Sequence, residues 1–206
     1  MKKKLAIFDF DGTMIKGDSL IRFLWYYSNP FVFAARCFHL LPVMIKYAMG
    51  FIDEHSAKEK VYMLFFAWVP RKQFMEKASL FSMSVIPLIV REEAVRRLRW
   101  HQGSNHDCIL VSASIEDYLL PWAESAGFSS VVATKLETDG SGKITGKFSG
   151  RNCKGAEKVA RIKEVRSDLS QYEIYAYGDS RGDKELLEIA DHPFYRSFEK
   201  EISYPV

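Results

Sequence analysis

The sequence predicts an α/β fold: a parallel sheet covered by helices on both faces, with a block of consecutive helices inserted after the first strand. Three observations predict it. Short unbroken apolar runs at residues 5–8 (LAIF), 108–111 (CILV) and 174–177 (IYAY) have the length of fully buried strands, and 131–133 is a weaker fourth. Helical patterns at 92–100, 117–126, 156–165 and 184–190 alternate with these runs, which implies parallel pairing. Residues 14–86 break the alternation.

Taken in order, the first strand is bounded by lysines on one side and by Gly12 on the other. The region after it is rich in aromatics and methionines and reads as consecutive helices broken at Asn29-Pro30, at Gly50 and at Val69-Pro70. Ser56 with Glu59 supplies a capping-box signature for the third of them. Such an insertion overhangs the strand ends and is expected to be a cap, which divides the chain into a core of residues 1–15 plus 87–206 and a cap of residues 16–86. Farther on, VVATKLETDGSGKITGKF carries two alternating segments around a Gly-rich turn and predicts a hairpin.

Bulk composition excludes several classes. A chain of 206 residues that is 48% hydrophobic can bury a real core, as one domain with an elaboration. The formal charge is +3 and the basic residues are scattered, so no nucleic-acid partner is expected. Cys37, Cys108 and Cys153 form no C-x-x-C pair, which argues against a disulfide framework or a thiolate zinc site and for a reducing, cytoplasmic setting. None of them has an arginine six residues on, so thiol-based phosphate chemistry is excluded and Cys153 is expected to pack. The opening MKKKLAIF imitates a leader, but Asp9 interrupts the apolar run after Phe8 and no secretion signal is expected.

The chemistry concentrates at the strand ends, where open α/β sheets bind ligands. DFDGT puts Asp9 and Asp11 on one side of an extended segment, with Phe10 pointing away. GDSRGD adds Asp179 and Asp183 at another strand end. Hard oxygen donors without His or Cys favour magnesium over zinc, and magnesium binds phosphate beside one or two carboxylates. Phosphate needs donors too. Ser112 and Ser114 in VSAS follow the second strand, and Lys154 and Lys158 in NCKGAEK are four apart at a helix start and are expected on one face.

DFDGT, VSAS, a lysine in NCKGAEK and GDSRGD, in that order, resemble the haloacid dehalogenase superfamily. The helical insertion, RWHQ, YLLPWAESAGF and the hairpin are similar to its phosphoserine-phosphatase-like subfamily, IB. The resemblance implies a Rossmann-like three-layer core and a Mg2+-dependent phosphatase. It implies that Asp9 is the nucleophile forming an aspartyl-phosphate and that Asp11 is the general acid and base. Asp9, Asp179 and the backbone carbonyl of Asp11 would hold the metal. Ser112, with Ala113 and Gly12 beside it, would meet the phosphoryl group, and Asp183 with Ser180 would support the site from behind. For the lysine the resemblance offers both Lys154 and Lys158 and favours Lys158. Arg181-Gly182 within the fourth motif and FYRSF near the last strand depart from the family pattern.

Substrate choice falls to the cap. Asp18 stands where phosphoserine phosphatases place a carboxylate that meets the substrate amine, yet Ser19-Leu20 is an ordinary helix start and Asp18 can equally be its N-cap. Residues 31–52 (FVFAARCFHLLPVMIKYAMGFI) carry only Arg36 and Lys46 as charges. They read as the cap's own core or as an interfacial, lipid-facing surface in peripheral membrane contact. A small phosphomonoester such as a phosphoserine-like compound is the leading substrate class. A lipid phosphate of the phosphatidylglycerophosphate type, phosphoryl transfer to another acceptor, and a phosphate-binding module without turnover are the alternatives.

Overall fold

A strand whose centre is an unbroken apolar run has to lie between two layers, and β1 (Lys3–Asp9), with LAIF at residues 5–8, does. In this computed structural model, which describes residues 2–200, Leu5 and Ile7 turn into one core with Ile109, Val111, Ile174 and Ala176. Ala6 and Phe8 turn into the other with Leu110, Tyr175 and Tyr177. Period-two geometry thus divides a continuous apolar run between two faces.

After β1 come α1 (Ser19–Tyr27), α2 (Pro30–Ala48), α3 (Glu54–Phe66), α4 (Arg71–Ser84), the single turn α5 (Ile86–Ile89) and α6 (Glu92–Gly103). The chain continues through β2 (Asp107–Ile115), α7 (Glu116–Ser125), β3 (Ser130–Thr134), β4 (Leu136–Thr138), β5 (Ile144–Phe148), α8 (Ala156–Val165), β6 (Tyr172–Gly178), α9 (Lys184–Glu188) and β7 (His192–Tyr195). Five strands form one parallel sheet in the order β3-β2-β1-β6-β7. Residues of α6 and α7 cover one face, and residues of α8 and α9 cover the other. The register sets Asp9 beside Val111 on β2 and Phe8 beside Tyr177 on β6. Asp9, Ser112 and Asp179 therefore emerge together at the carboxyl edge.

Several sequence expectations need correction. β2 continues to Ile115, with its pairing broken between Ser112 and Ile115, so the two serines lie in its irregular end and do not follow it. β7 was not anticipated: HPFY has no clean alternation, and its Pro193 is tolerated because the strand is at the sheet's edge. The predicted hairpin is divided, since residues 130–134 join the main sheet and only β4 and β5 pair with each other. The third cap helix, α3, is capped by Asp53, whose carboxylate accepts from Ser56 N. Ser56 is thus the recipient of the cap, and Glu59 instead accepts from Phe148 N at the hairpin.

The helical breaks fall where the sequence puts them, and α1, α3 and α4 meet in an aromatic core. Phe23 contacts the rings of Phe66, Phe74, Phe81 and Tyr118, which makes this core continuous with the layer beneath it. α2 is different. Leu40 is its one buried residue, with Phe33 and Val43 partly packed, so the reading of residues 31–52 as the cap's own core is not what the fold delivers.

Beneath the sheet, α6 buries His101 fully. Its Nε2 shares a hydrogen bond with Tyr177 OH (2.8 Å) and its Nδ1 one with His106 (2.7 Å). Burial, with Arg97 and His106 nearby, lowers its pKa from 6.5 to about 3. Across that interval the unfolded chain binds a proton that the folded protein refuses, so stability falls as pH falls. Near pH 5 this one group costs up to about 2 kcal/mol. Between neutrality and pH 5 the urea midpoint of His101→Gln should therefore change less unfavourably than the parent's, because groups that titrate elsewhere act on both proteins alike.

Candidate active site

A lysine ammonium buried without counter-charges would lose its proton, and Lys158 keeps its own by lying between two carboxylates. It is 2% exposed on the first turn of α8, and its Nζ is 2.5 Å from Asp9 Oδ1 and 2.6 Å from Asp183 Oδ1. Burial pulls Lys158 down, but Asp9 and Asp183 outweigh it and hold the group above its ordinary value. Asp183 is fixed in turn: its Oδ2 accepts from Ser180 Oγ (2.8 Å), Ser180 N (3.0 Å) and Asp179 N (3.2 Å). Burial would raise this carboxyl, yet Lys158 and Ser180 hold it below the ordinary range. Ser180 closes the loop by accepting from Gly182 N.

Asp9, 5% exposed at the end of β1, is raised by burial, with Lys158 opposing and Asp183 and Asp11 adding to the rise. Oxygens of Asp9, Asp179 and Asp183 lie within 4.8 Å of one another. Asp179 accepts a long bond from Thr13 Oγ1 (3.5 Å), and its carboxyl is raised by burial first and by Asp183 second. Three carboxylates thus face one ammonium. A hard divalent cation fits this oxygen set and the charge it leaves uncompensated. Gly12 lets Asp179 come this close: its φ is +79°, and a Cβ there would lie 2.2 Å from Asp179 Oδ2.

Asp11 lines the same cavity but is held by serines. Its Oδ1 accepts from Ser19 N (2.6 Å), the first residue of α1, and its Oδ2 from Ser114 Oγ (2.5 Å). Ser19 Oγ bonds both Ser114 Oγ and Tyr118 OH, each at 2.9 Å. Burial and then Asp18 raise the Asp11 carboxyl, and the serine bonds moderate that rise. The expected phosphate donor Ser114 is therefore turned to a carboxylate, while the fully buried Ser112 accepts from Ser114 N through its hydroxyl.

These groups open into a cavity of about 430 Å³. The core lines it with Asp9, Asp11, Gly12, Ser112, Ala113, Asp179 and Ser180, and the cap contributes Asp18, Leu20, Glu54 and Lys58. Asp18 is the N-cap of α1, its Oδ1 accepting from Ile21 N (3.2 Å), and it also lines the cavity. Lys154 is not on one helix face with Lys158: it precedes α8 and pairs with Glu54 across the cavity mouth. Its stem lies over Gly182, where a Cβ would be 2.7 Å from Lys154 Cε, so the departure at Gly182 has a steric reason. FYRSF also takes part, because Arg196 Nε donates to the Asp179 carbonyl (2.8 Å). Ser19, Glu54, Lys58 and Arg196 were not anticipated as site residues. Ser19 had a signal as the residue after a candidate N-cap, and the others reach the site only through tertiary packing. Cys153 is buried and its thiol is pushed up to about 11 by that burial, in keeping with a packing role.

A parallel sheet with helices on both sides, a helical cap after its first strand and a carboxylate–lysine cluster at its carboxyl edge define a hydrolase class built around acidic strand ends. The chain belongs to the haloacid dehalogenase-like hydrolase family, whose model matches residues 6–188. It is 32% identical to Protein CicA of Caulobacter vibrioides over 196 residues, covering 94% of this chain and 86% of that one. It is 25% identical over 198 residues to a histidinol-phosphatase of Neisseria meningitidis serogroup C, covering 93% and 89%. Among solved structures, a Bordetella pertussis Tohama I protein of unknown function superposes with a TM-score of 0.78 at 25% identity, over 95% of this chain and 90% of that one. A phosphoserine phosphatase captured as a phospho-aspartyl intermediate analogue superposes at 0.60 and 19% identity, over 92% and 84%, which is a likeness of fold.

Gly12→Ala tests the close approach. A left-handed backbone costs a non-glycine residue roughly 1–2 kcal/mol, and Asp179 must also move. We expect a urea midpoint lowered accordingly, and an unchanged midpoint would mean that the loop re-forms without strain.

Proposed function

We propose that the phosphatase chemistry of this family runs here through an aspartyl-phosphate on Asp9, with Mg2+, on a small polar phosphomonoester. One observation carries the reading: Asp9, Lys158, Asp179 and Asp183 converge at the carboxyl edge, with Ser112 lining the same cavity. In the first step Asp9 attacks phosphorus, the bond to the leaving oxygen breaks, and Asp11 gives that oxygen its proton. The raised Asp11 carboxyl supports the acid role. In the second step Asp11 takes a proton from water as it attacks phosphorus, which frees Asp9 and releases phosphate. Lys158 and Ser112 hold phosphoryl oxygens throughout, and Asp183 with Ser180 keeps Lys158 in place. Asp9, Asp179 and the Asp11 carbonyl would hold Mg2+, which offsets charge on the transferring group when bound.

The cavity favours a polar leaving group. Asp18, Glu54 and Lys58 reach it from the cap, and Leu20 is the large apolar side chain there. Asp18 suits an amine-bearing substrate, whereas Glu54 is already paired with Lys154 and Lys58, and the histidinol-phosphatase relative is in keeping with that class. A lipid phosphate draws support from outside the cavity alone, from the exposed face of α2. A release assay over amino-alcohol phosphates, sugar phosphates, nucleotides and lysophospholipid phosphates separates these classes.

Two measurements test the mechanism. Asp9→Asn should reduce hydrolysis of an aryl phosphate by at least about a thousand-fold, and chelation of Mg2+ should do the same to the parent. An Asp9→Asn enzyme as fast as the parent would end the proposal. Lys158→Met should cost roughly a hundred-fold or more in kcat, whereas Lys154→Met should act mainly on KM, because Lys154 meets the cap and not Asp9. The reverse pattern would move the phosphoryl-binding role to Lys154.

A further inference from the structure

A helix packed in a soluble domain normally keeps its apolar residues inward, and α2 does the reverse. Phe31, Phe38, Leu41 and Ile45 recur at spacings of seven, three and four, which aligns them on one face, and all are exposed: Phe31 at 86% and Phe38 at 73%. The opposite face is already used. Leu40 is buried, Phe33 and Val43 pack on the core, and Arg36 Nη1 donates to the Phe65 carbonyl (3.3 Å). On the neighbouring α1, Ile21 and Trp25 are exposed as well, and Trp25 meets Phe33 of α2 with rings 5.2 Å apart. Arg22 stands on the rim of the groove between these two helices.

Charge decides what covers this face. Between Asp18 and Asp53 the chain has no acidic residue, while Arg22 on α1 and Lys46 on α2 stand exposed. A second copy docked face to face would bring these cations against their own kind, which disfavours self-pairing. An anionic lipid surface presents the opposite sign together with an apolar layer at the depth a helix face reaches. We propose that α2, with the neighbouring face of α1, lies in the headgroup region of an anionic membrane and docks the cap there. The helix lies on the membrane and does not cross it, since crossing would tear Leu40 and Arg36 from the cap. The surface is outside the cavity, and the proposal does not depend on the chemistry of Asp9.

Flotation of the full-length protein with phosphatidylglycerol/phosphatidylcholine vesicles tests it, with pure phosphatidylcholine as the control. The protein should float with the anionic vesicles at low salt and several-fold less with neutral vesicles or at high salt. Phe38→Ser combined with Ile45→Ser should weaken binding roughly ten-fold or more while soluble aryl-phosphate hydrolysis is retained. Lys46→Glu should weaken it several-fold. Should the double variant fail to fold, Phe38→Trp gives a direct reading through a blue-shifted emission when anionic vesicles are added. Asp9→Asn should float like the parent, which separates failure of docking from failure of the catalytic proposal. No flotation at low salt, flotation unaffected by the double variant, or a parent dimer that the double variant dissolves without any vesicle binding would each overturn the inference.

Discussion

The active edge depends on one buried ammonium. Lys158 reaches the end of β1 from α8 and bonds Asp9 and Asp183, which come from two different strand ends. Taking one partner from a buried ion pair of this kind costs about 3–5 kcal/mol, because the charge left behind has no water to turn to. Much local structure follows from keeping that contact. Asp183 is locked by Ser180 and two backbone amides, and the turn after β6 is folded around it, with a Cβ on Gly178 excluded by Asp183 itself. The same lock sets the position from which Asp179 faces Asp9.

The cap is bound to this edge by polar contacts as well as by its aromatic core. Asp11 leaves β1 and is held by the start of α1 and by Ser114 at the end of β2, so one carboxylate joins cap and core. On the far side, the β4–β5 hairpin exchanges backbone hydrogen bonds with the loop before α4, between Trp68 and Ile144, Ile144 and Val69, and Arg71 and Gly142. Gly146 allows the hairpin to lie against α3, where a Cβ would be 2.3 Å from Met63 Cα. Arg71 also pairs with Asp117 at the start of α7 (2.5 Å). A hairpin that looks like an accessory in the sequence is thus the brace that fixes the cap over the cavity.

How much could be read in advance follows from how local each signal is. LAIF, CILV and IYAY announce buried strands because every residue in them is apolar, and DFDGT and GDSRGD announce acidic strand ends by their spacing. HPFY went unread because an edge strand needs no alternation once a neighbour supplies the ladder. Ser56 and Asp53 compete for the same cap with similar chemistry, and the backbone chose the earlier residue. The apolar character of residues 31–52 was plain, but which way the helix turns that character depends on α1 and α3 already filling the cap's interior.

The sequence by itself determined the layered α/β order, the helical insertion and the set of acidic, hydroxyl and lysine groups available for phosphate chemistry, because periodicity and turn chemistry act over a few residues. Only the tertiary structure decided how those groups are shared out. It set Lys158 rather than Lys154 against Asp9, turned Ser114 to Asp11, brought Glu54 and Lys58 across the cavity and left α2 facing outward. The reason is physical: each of these outcomes is a competition between groups far apart in the chain for the same few ångströms. The register of β1 against β2 and β6, and the packing of the cap upon them, settles that competition.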